Sequence, residues 1–343
     1  MQATELNFPR SIAIISIDSS FGLGWIIVAC AKHDYGFITS ITPNDDAPSQ
    51  GLTWILFARG KILKRQTVLN KLLTAIAISC VVGLIAISVF VSSDRSLDPL
   101  NSIPAHSIPN DWSDHIKVGI VGDSWVSGQQ IDEGIVASLP ALGVPFEVVS
   151  SSHPGAKTRQ IYRNLIDTDQ HNPRSSNQIL MDQKLDYLVV VAGVNDTGGH
   201  IGKEFYAHHM WNIIQTALRR GIHPVIVEVP EYGIEVVPAV GFLSWAKRGM
   251  YQTLFDDGKA DVISDYREAL RKRIASSVEN EITFFNFSSF IEDYETKTDL
   301  YRNPSHLTNS GYQQLGMLIG KQIARTHTNR MQAEPAAETV AND

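Results

Sequence analysis

From about residue 113 to 326 the chain alternates short apolar runs with longer amphipathic ones, and this alternation restricts the fold more than any other feature. The strand-like runs are 116–121, 145–150, 186–192, 223–229 and 282–287. Helix-like periodicity covers about 129–141, 157–166, 203–220, 242–256, 262–276 and 309–325. Short apolar strands separated by amphipathic helices pair in parallel and need helical cover on both faces. The expectation is an α/β domain of three layers, α/β/α, spanning 113–326. No internal repeat competes with this reading.

Ahead of the domain, residues 72–91 carry no charge. About 20 apolar residues is the length of a helix that crosses a bilayer core, and a soluble core helix would keep a polar stripe. A transmembrane helix is therefore expected at 72–91. Lys61, Lys64, Arg65 and Lys71 precede it, whereas Asp94, Arg95 and Asp98 follow. Excess positive charge marks the cytoplasmic flank, so residues 1–71 read as a cytoplasmic or membrane-associated segment and the large domain as extracytoplasmic, on the periplasmic side. A second apolar stretch, 12–31, contains Asp18, whose insertion costs about 2.5–3.5 kcal/mol. Single-pass and two-pass arrangements put the domain on the same side. Residues 92–112, with Pro99, Pro104 and Pro109, read as a linker that lifts the domain off the membrane. Residues 327–343 are polar and aperiodic, and are expected to be a disordered tail.

At 343 residues there is room for one sizeable domain plus appendages. A net charge of -7, with no basic block in the second two-thirds of the chain, excludes a general nucleic-acid binder. The two cysteines, Cys30 and Cys80, lie in apolar N-terminal stretches, so thiol chemistry cannot run the domain. His-Glu-x-x-His, Cys-x-x-Cys, Gly-x-Gly-x-x-Gly and the P-loop are all missing, and no metal or other cofactor is expected. His208 and His209 are adjacent and would point apart on a helix, so they cannot chelate together. The Gly-x-Ser-x-Gly elbow of the other large serine-hydrolase fold is also absent.

Four short blocks fall at strand ends or in loops on the same side of the expected sheet. Gly122-Asp123-Ser124 follows the first strand, and Gly155 lies in the loop after the second. Gly193-Val194-Asn195-Asp196 follows the third, and Asn303-Pro304-Ser305-His306-Leu307-Thr308 precedes the last helix, with Thr308 or Ser310 as its cap. Alone, each reads as a turn or a helix cap. In this order they are the parts of acyl transfer: a hydroxyl nucleophile, hydrogen-bond donors for an oxyanion, and a general base. Trp125, beside the serine, reads either as a platform for a sugar ring or as a buried aromatic.

In residues and order these blocks resemble the SGNH (GDSL) hydrolase superfamily over roughly 112–326, and the stretch 217–230 is similar to the helix and strand that follow that family's Asn block. The resemblance implies a flavodoxin-like α/β/α fold with Ser124 as nucleophile and His306 as base. It also implies an oxyanion hole made by the backbone N–H groups of Ser124 and Gly155 and the side-chain amide of Asn195. One position departs, since the aspartate usual three residues before the histidine is Asn303 here. Three readings stay open at this point. Asn303 or a backbone carbonyl orients the ring of a Ser–His dyad; Asp299 or Asp293 supplies the carboxylate instead; or hydrolysis has been lost. The leading expectation is a membrane-anchored serine esterase acting on acyl or acetyl esters of an extracytoplasmic glycan or lipid. The alternatives are O-acyl transfer to a cell-surface glycan by the same residues, and a non-catalytic glycan-binding module. The expected partners are an ester-bearing small molecule, glycan or lipid, and the membrane.

Overall fold

The computed structural model describes residues 68–340 apart from 86, 89–94, 101–114, 129, 170, 182, 238–240 and 276–280. Two compact units divide the chain, Met1–Leu84 and Ile85–Asp343. The apolar stretch 12–31 lies outside the described residues.

The described part of the first unit is a helix, α1 (Val68–Ile85), of 18 residues with mean hydropathy 2.1. By length and composition it suffices to cross a membrane, and a signal sequence meets the same criterion. Its apolar side chains, among them Leu73, Ile78, Val82 and Ile85, are exposed.

The second unit is built on five parallel strands: β1 (Ile116–Gly122), β2 (Phe146–Ser152), β3 (Tyr187–Val191), β4 (His223–Val227) and β5 (Thr283–Phe285). Their spatial order is β2-β1-β3-β4-β5, the doubly wound flavodoxin-like order. Each of the five falls on an expected strand. The three central strands are buried from end to end apart from Lys117, as strands covered on both faces must be. Helices α2 (Gln130–Ser138) and α8 (Asn309–Val340) pack together, as do α3 (Thr158–Ile166), α5 (Lys203–Arg219) and α7 (Ile263–Ala275). Two shorter features escaped the periodicity, the five-residue helix α4 (Val194–Gly198) and an antiparallel hairpin, β6 (Tyr301–Asn303) with β7 (His306–Leu307). Helix α6 (Phe242–Phe255) seats its C-terminal half through Tyr251 and Phe255 on Ile201 and Phe205.

Two expectations about the flanks need correction. Helix α8 does not stop near 325 but continues to Val340, through most of the expected tail. His327 ties the extension down, with Tyr187 Oη 3.2 Å from its Nδ1. Residues 95–100, part of the expected linker 92–112, are strapped to the domain. The Asp98 carboxylate accepts from Arg159 Nε at 3.0 Å and Arg163 Nε at 2.7 Å. Its backbone carbonyl meets His208 Nε2 at 2.7 Å and Asn212 Nδ2 at 3.0 Å, and Tyr162 Oη donates to the Pro99 carbonyl at 2.9 Å.

At Gly122, the last residue of β1, a Cβ would lie 2.2 Å from the Val191 carbonyl oxygen. Only glycine lets β1 end this close to β3, which brings residues 123 and 124 out at the crevice between them. In this strand order that is the topological switch point, where open α/β sheets hold ligands.

Candidate active site

Ser124 follows β1 directly. Its Oγ is 3.0 Å from His306 Nε2, across 182 residues of sequence. Spacing and geometry together explain how His306 gets there. Asn303-Pro304-Ser305-His306 is a tight hairpin turn in which Asn303 and His306 are paired across the strands. Proline suits the second position of such a turn, and asparagine the first, because its side chain can cap the backbone two residues on. The Ser305 N–H indeed donates to Asn303 Oδ1 at 3.1 Å. That bond fixes which way the amide faces. Oδ1, an acceptor, lies 3.2 Å from His306 Nδ1, and Ser305 Oγ is 3.0 Å from the same nitrogen.

An acceptor at Nδ1 selects the tautomer that carries its proton there and leaves Nε2 bare toward Ser124. Asp293 is not part of this arrangement, since its Oδ1 accepts from the Glu295 N–H. No described hydrogen bond joins Asp299 to the ring. Of the ways to orient His306, the geometry favours Asn303. Burial, with Arg302 adding to it, lowers the His306 pKa from its ordinary value.

Behind the serine, Asp123 is fully buried. Its Oδ1 accepts from the Trp125 N–H at 3.0 Å and its Oδ2 from Asn195 Nδ2 at 3.3 Å. The same Asn195 nitrogen donates to the Ala156 carbonyl at 3.1 Å. Asn195 thus bridges the neighbour of Ser124 and the neighbour of Gly155. Gly155 has a φ of 77°, in the left-handed region, and a Cβ there would meet nothing within 4 Å. Backbone conformation, not space, calls for glycine in that loop.

Asp196 supports the cluster from below. It accepts from the Thr158 N–H at 3.0 Å and Thr158 Oγ1 at 2.8 Å, locking the start of α3 to α4. Burial pushes the Asp123 carboxyl up to about 7; the Trp125 bond opposes this and the charge of Asp196 adds to it. Burial likewise pushes Asp196 up to about 6.

Trp125 is 2% exposed, packed edge-on against Phe287 and Tyr312, with ring centroids 5.9 and 5.4 Å away. It is no platform for a sugar. Its Nε1 donates to the Ser305 carbonyl at 3.0 Å, tying the serine turn to the histidine hairpin. Sequence reasoning had no signal for that bond, because it joins residues 180 apart. Of the cap candidates, Thr308 opens α8, its Oγ1 accepting from the Gly311 N–H at 3.1 Å. His208 and His209 both serve the strap, and among the described residues no group of three or more His, Cys, Asp or Glu could hold a metal ion.

Comparison with solved structures finds similar folds at low identity. A lipase/acylhydrolase from Enterococcus faecalis is 16% identical with a TM-score of 0.44, covering 62% of this chain and 96% of its own. A GDSL-like lipase from Bacteroides thetaiotaomicron is 16% identical at 0.39, covering 62% and 88%. An acetylxylan esterase from Geobacillus stearothermophilus is 14% identical at 0.44, covering 61% and 94%. No curated protein sequence matches the chain. The GDSL-like lipase/acylhydrolase family matches residues 120–314, more than half of the chain, from the middle of β1 into α8. The protein belongs to that family.

Proposed function

We propose that the domain is a serine esterase that cleaves acyl esters through Ser124 and His306, with Asn303 orienting the imidazole. The observation that carries this reading is the 3.0 Å approach of His306 Nε2 to Ser124 Oγ, with the Nδ1 side capped by an acceptor. His306 takes the hydroxyl proton as Oγ bonds to the ester carbonyl carbon. The resulting oxyanion is received by the N–H groups of Ser124 and Gly155 and by Asn195 Nδ2, whose 3.3 Å bond to Asp123 is the weaker of its two and gives way. The tetrahedral intermediate collapses, and the alcohol leaves with the proton from His306. Water, deprotonated by the same histidine, then releases the acid and restores Ser124.

In this reading α1 is a membrane anchor and the domain is extracytoplasmic, because the positive flank lies on the amino-terminal side of the apolar run. Substrates are then acyl or acetyl esters on glycan or lipid outside the cytoplasm. The test is turnover of p-nitrophenyl acetate by the detergent-solubilised full chain beside Ser124→Ala, together with fluorophosphonate labelling. The expected result is a loss of about 10³-fold or more in rate, and of the label, in the variant. Equal rates for the two proteins would refute the assignment.

A further inference from the structure

We propose, resting on the esterase reading, that the first turn of α6 is a bilayer-docking tip that sets the rim of the Ser124 site on a lipid surface, so that the ester substrates are membrane-borne. The turn is abnormal for a folded domain. Phe242 is 75% exposed, Leu243 82% and Trp245 63%, although all three lie within four residues and the Phe242 and Trp245 rings are 5.9 Å apart. Large apolar side chains gathered on a surface mark a contact site. Val236, in the loop before the helix, is exposed as well.

The composition fits a bilayer. Trp and Phe beside basic residues are the residues of a membrane interface. No acidic residue stands in the first turn of α6, and Lys247 and Arg248 follow within one turn, while the 231–237 loop before it carries Glu231 and Glu235. Earlier in the chain, helix α1 is long and apolar enough to cross a membrane.

The tip is coupled to the chemistry. Arg248 donates to the carbonyls of Val237 and Ile234 at 2.7 and 2.9 Å, fastening α6 to the 231–237 loop. Gly233 N–H donates to the Pro304 carbonyl at 2.8 Å, so that loop rests on the hairpin carrying Asn303 and His306. The tip and the hairpin of His306 thus share one loop.

The experiment compares the full-length wild type, Phe242→Ser/Trp245→Ser and Trp245→Phe, each reconstituted into phosphatidylcholine/phosphatidylglycerol vesicles. Two esters are assayed, p-nitrophenyl acetate in water and a long-chain acyl ester dissolved in the bilayer. In the double variant, kcat/KM on the water-soluble ester should stay within about twofold of wild type, and kcat/KM on the bilayer ester should fall at least about tenfold. Brominated lipid should quench wild-type tryptophan emission more than that of Trp245→Phe. Unequal ester effects together with this quenching difference support the proposal. Equal effects on both esters, identical quenching, or a dimer in detergent that the double variant turns into a monomer would overturn it, the last assigning the tip to a second copy of the chain. Failure of Ser124→Ala to reduce either activity would instead remove the esterase reading, and the quenching, which needs no turnover, would still report docking.

Discussion

At Asn303 the hairpin gives His306 an acceptor without a negative charge. In a serine-protease triad, Asp to Asn lowers kcat by about 10⁴ largely because the amide enforces the wrong tautomer. Here the Ser305 N–H holds Oδ1 toward the ring, so that penalty does not arise and only the loss of charge remains. The imidazolium of the proposed attack is then less stabilised, while burial and Arg302 already lower the resting histidine's pKa. Asn303→Asp should therefore raise kcat by about tenfold or more and move the acid limb of the pH–rate profile upward. In the wild type that limb should lie below pH 6.5, the ordinary histidine value. An unchanged rate with an unmoved limb in Asn303→Asp would mean that Asn303 does not act through the ring. The sequence could raise the question at Asn303 but not answer it. The answer depends on which face of an amide meets a nitrogen, and that was decided by one backbone N–H two residues along.

Among the elements, strands and long helices were legible because each carries its own period, 2 or 3.6, and needs no partner to be recognised. The strap at 95–100 was not legible. Its prolines, serines and charges read as linker, and what fixes it are side chains more than 60 residues away on α3 and α5. Nor was α4, at five residues too short to show a period. The strap's behaviour follows from Asp98. Burial alone would raise its pKa, but hydrogen bonds and charge from Arg163 and Arg159 overcome this and hold it at about 2. A depressed carboxyl contributes stability that is fully present above its unfolded value of 3.8 and is lost as pH falls through about 2. The clamp is therefore closed at any physiological pH. Asp98→Ala should open it, and limited trypsin digestion should then cut after Arg95 about tenfold faster, with fluorophosphonate labelling of Ser124 retained. Equal cleavage rates would show that the strap is held by its backbone bonds alone.

For the whole molecule, the order of blocks along the chain foretold the sheet and the crevice, since a doubly wound sheet leaves few other places for residues at strand ends. It did not reveal the cost of the crevice, two carboxyls buried side by side at its floor. Asp123 and Asp196 have folded-state pKa values raised to about 7 and about 6, against 3.8 for each when unperturbed. A raised carboxyl contributes stability that is fully present below 3.8 and is lost as pH rises through the folded value. Both terms therefore weaken the fold between about pH 4 and pH 7, as burial makes each ionisation unfavourable. The buried histidines act in the opposite sense. Burial holds His209 and His223 at about 4, so their contribution is full above 6.5 and is lost as pH falls through about 4. A wild-type stability profile mixes the two and cannot separate them. Asp123→Asn can, because an amide stays neutral throughout. The variant loses an acceptor for the Trp125 N–H or the Asn195 amide and should be the less stable protein at pH 4.5. By pH 8 the gap in denaturant midpoint should have narrowed, since only the wild type must then ionise a buried acid. A gap that widens with pH would mean that Asp123 is charged in the resting site at low pH, with Asn195 paired to a carboxylate throughout.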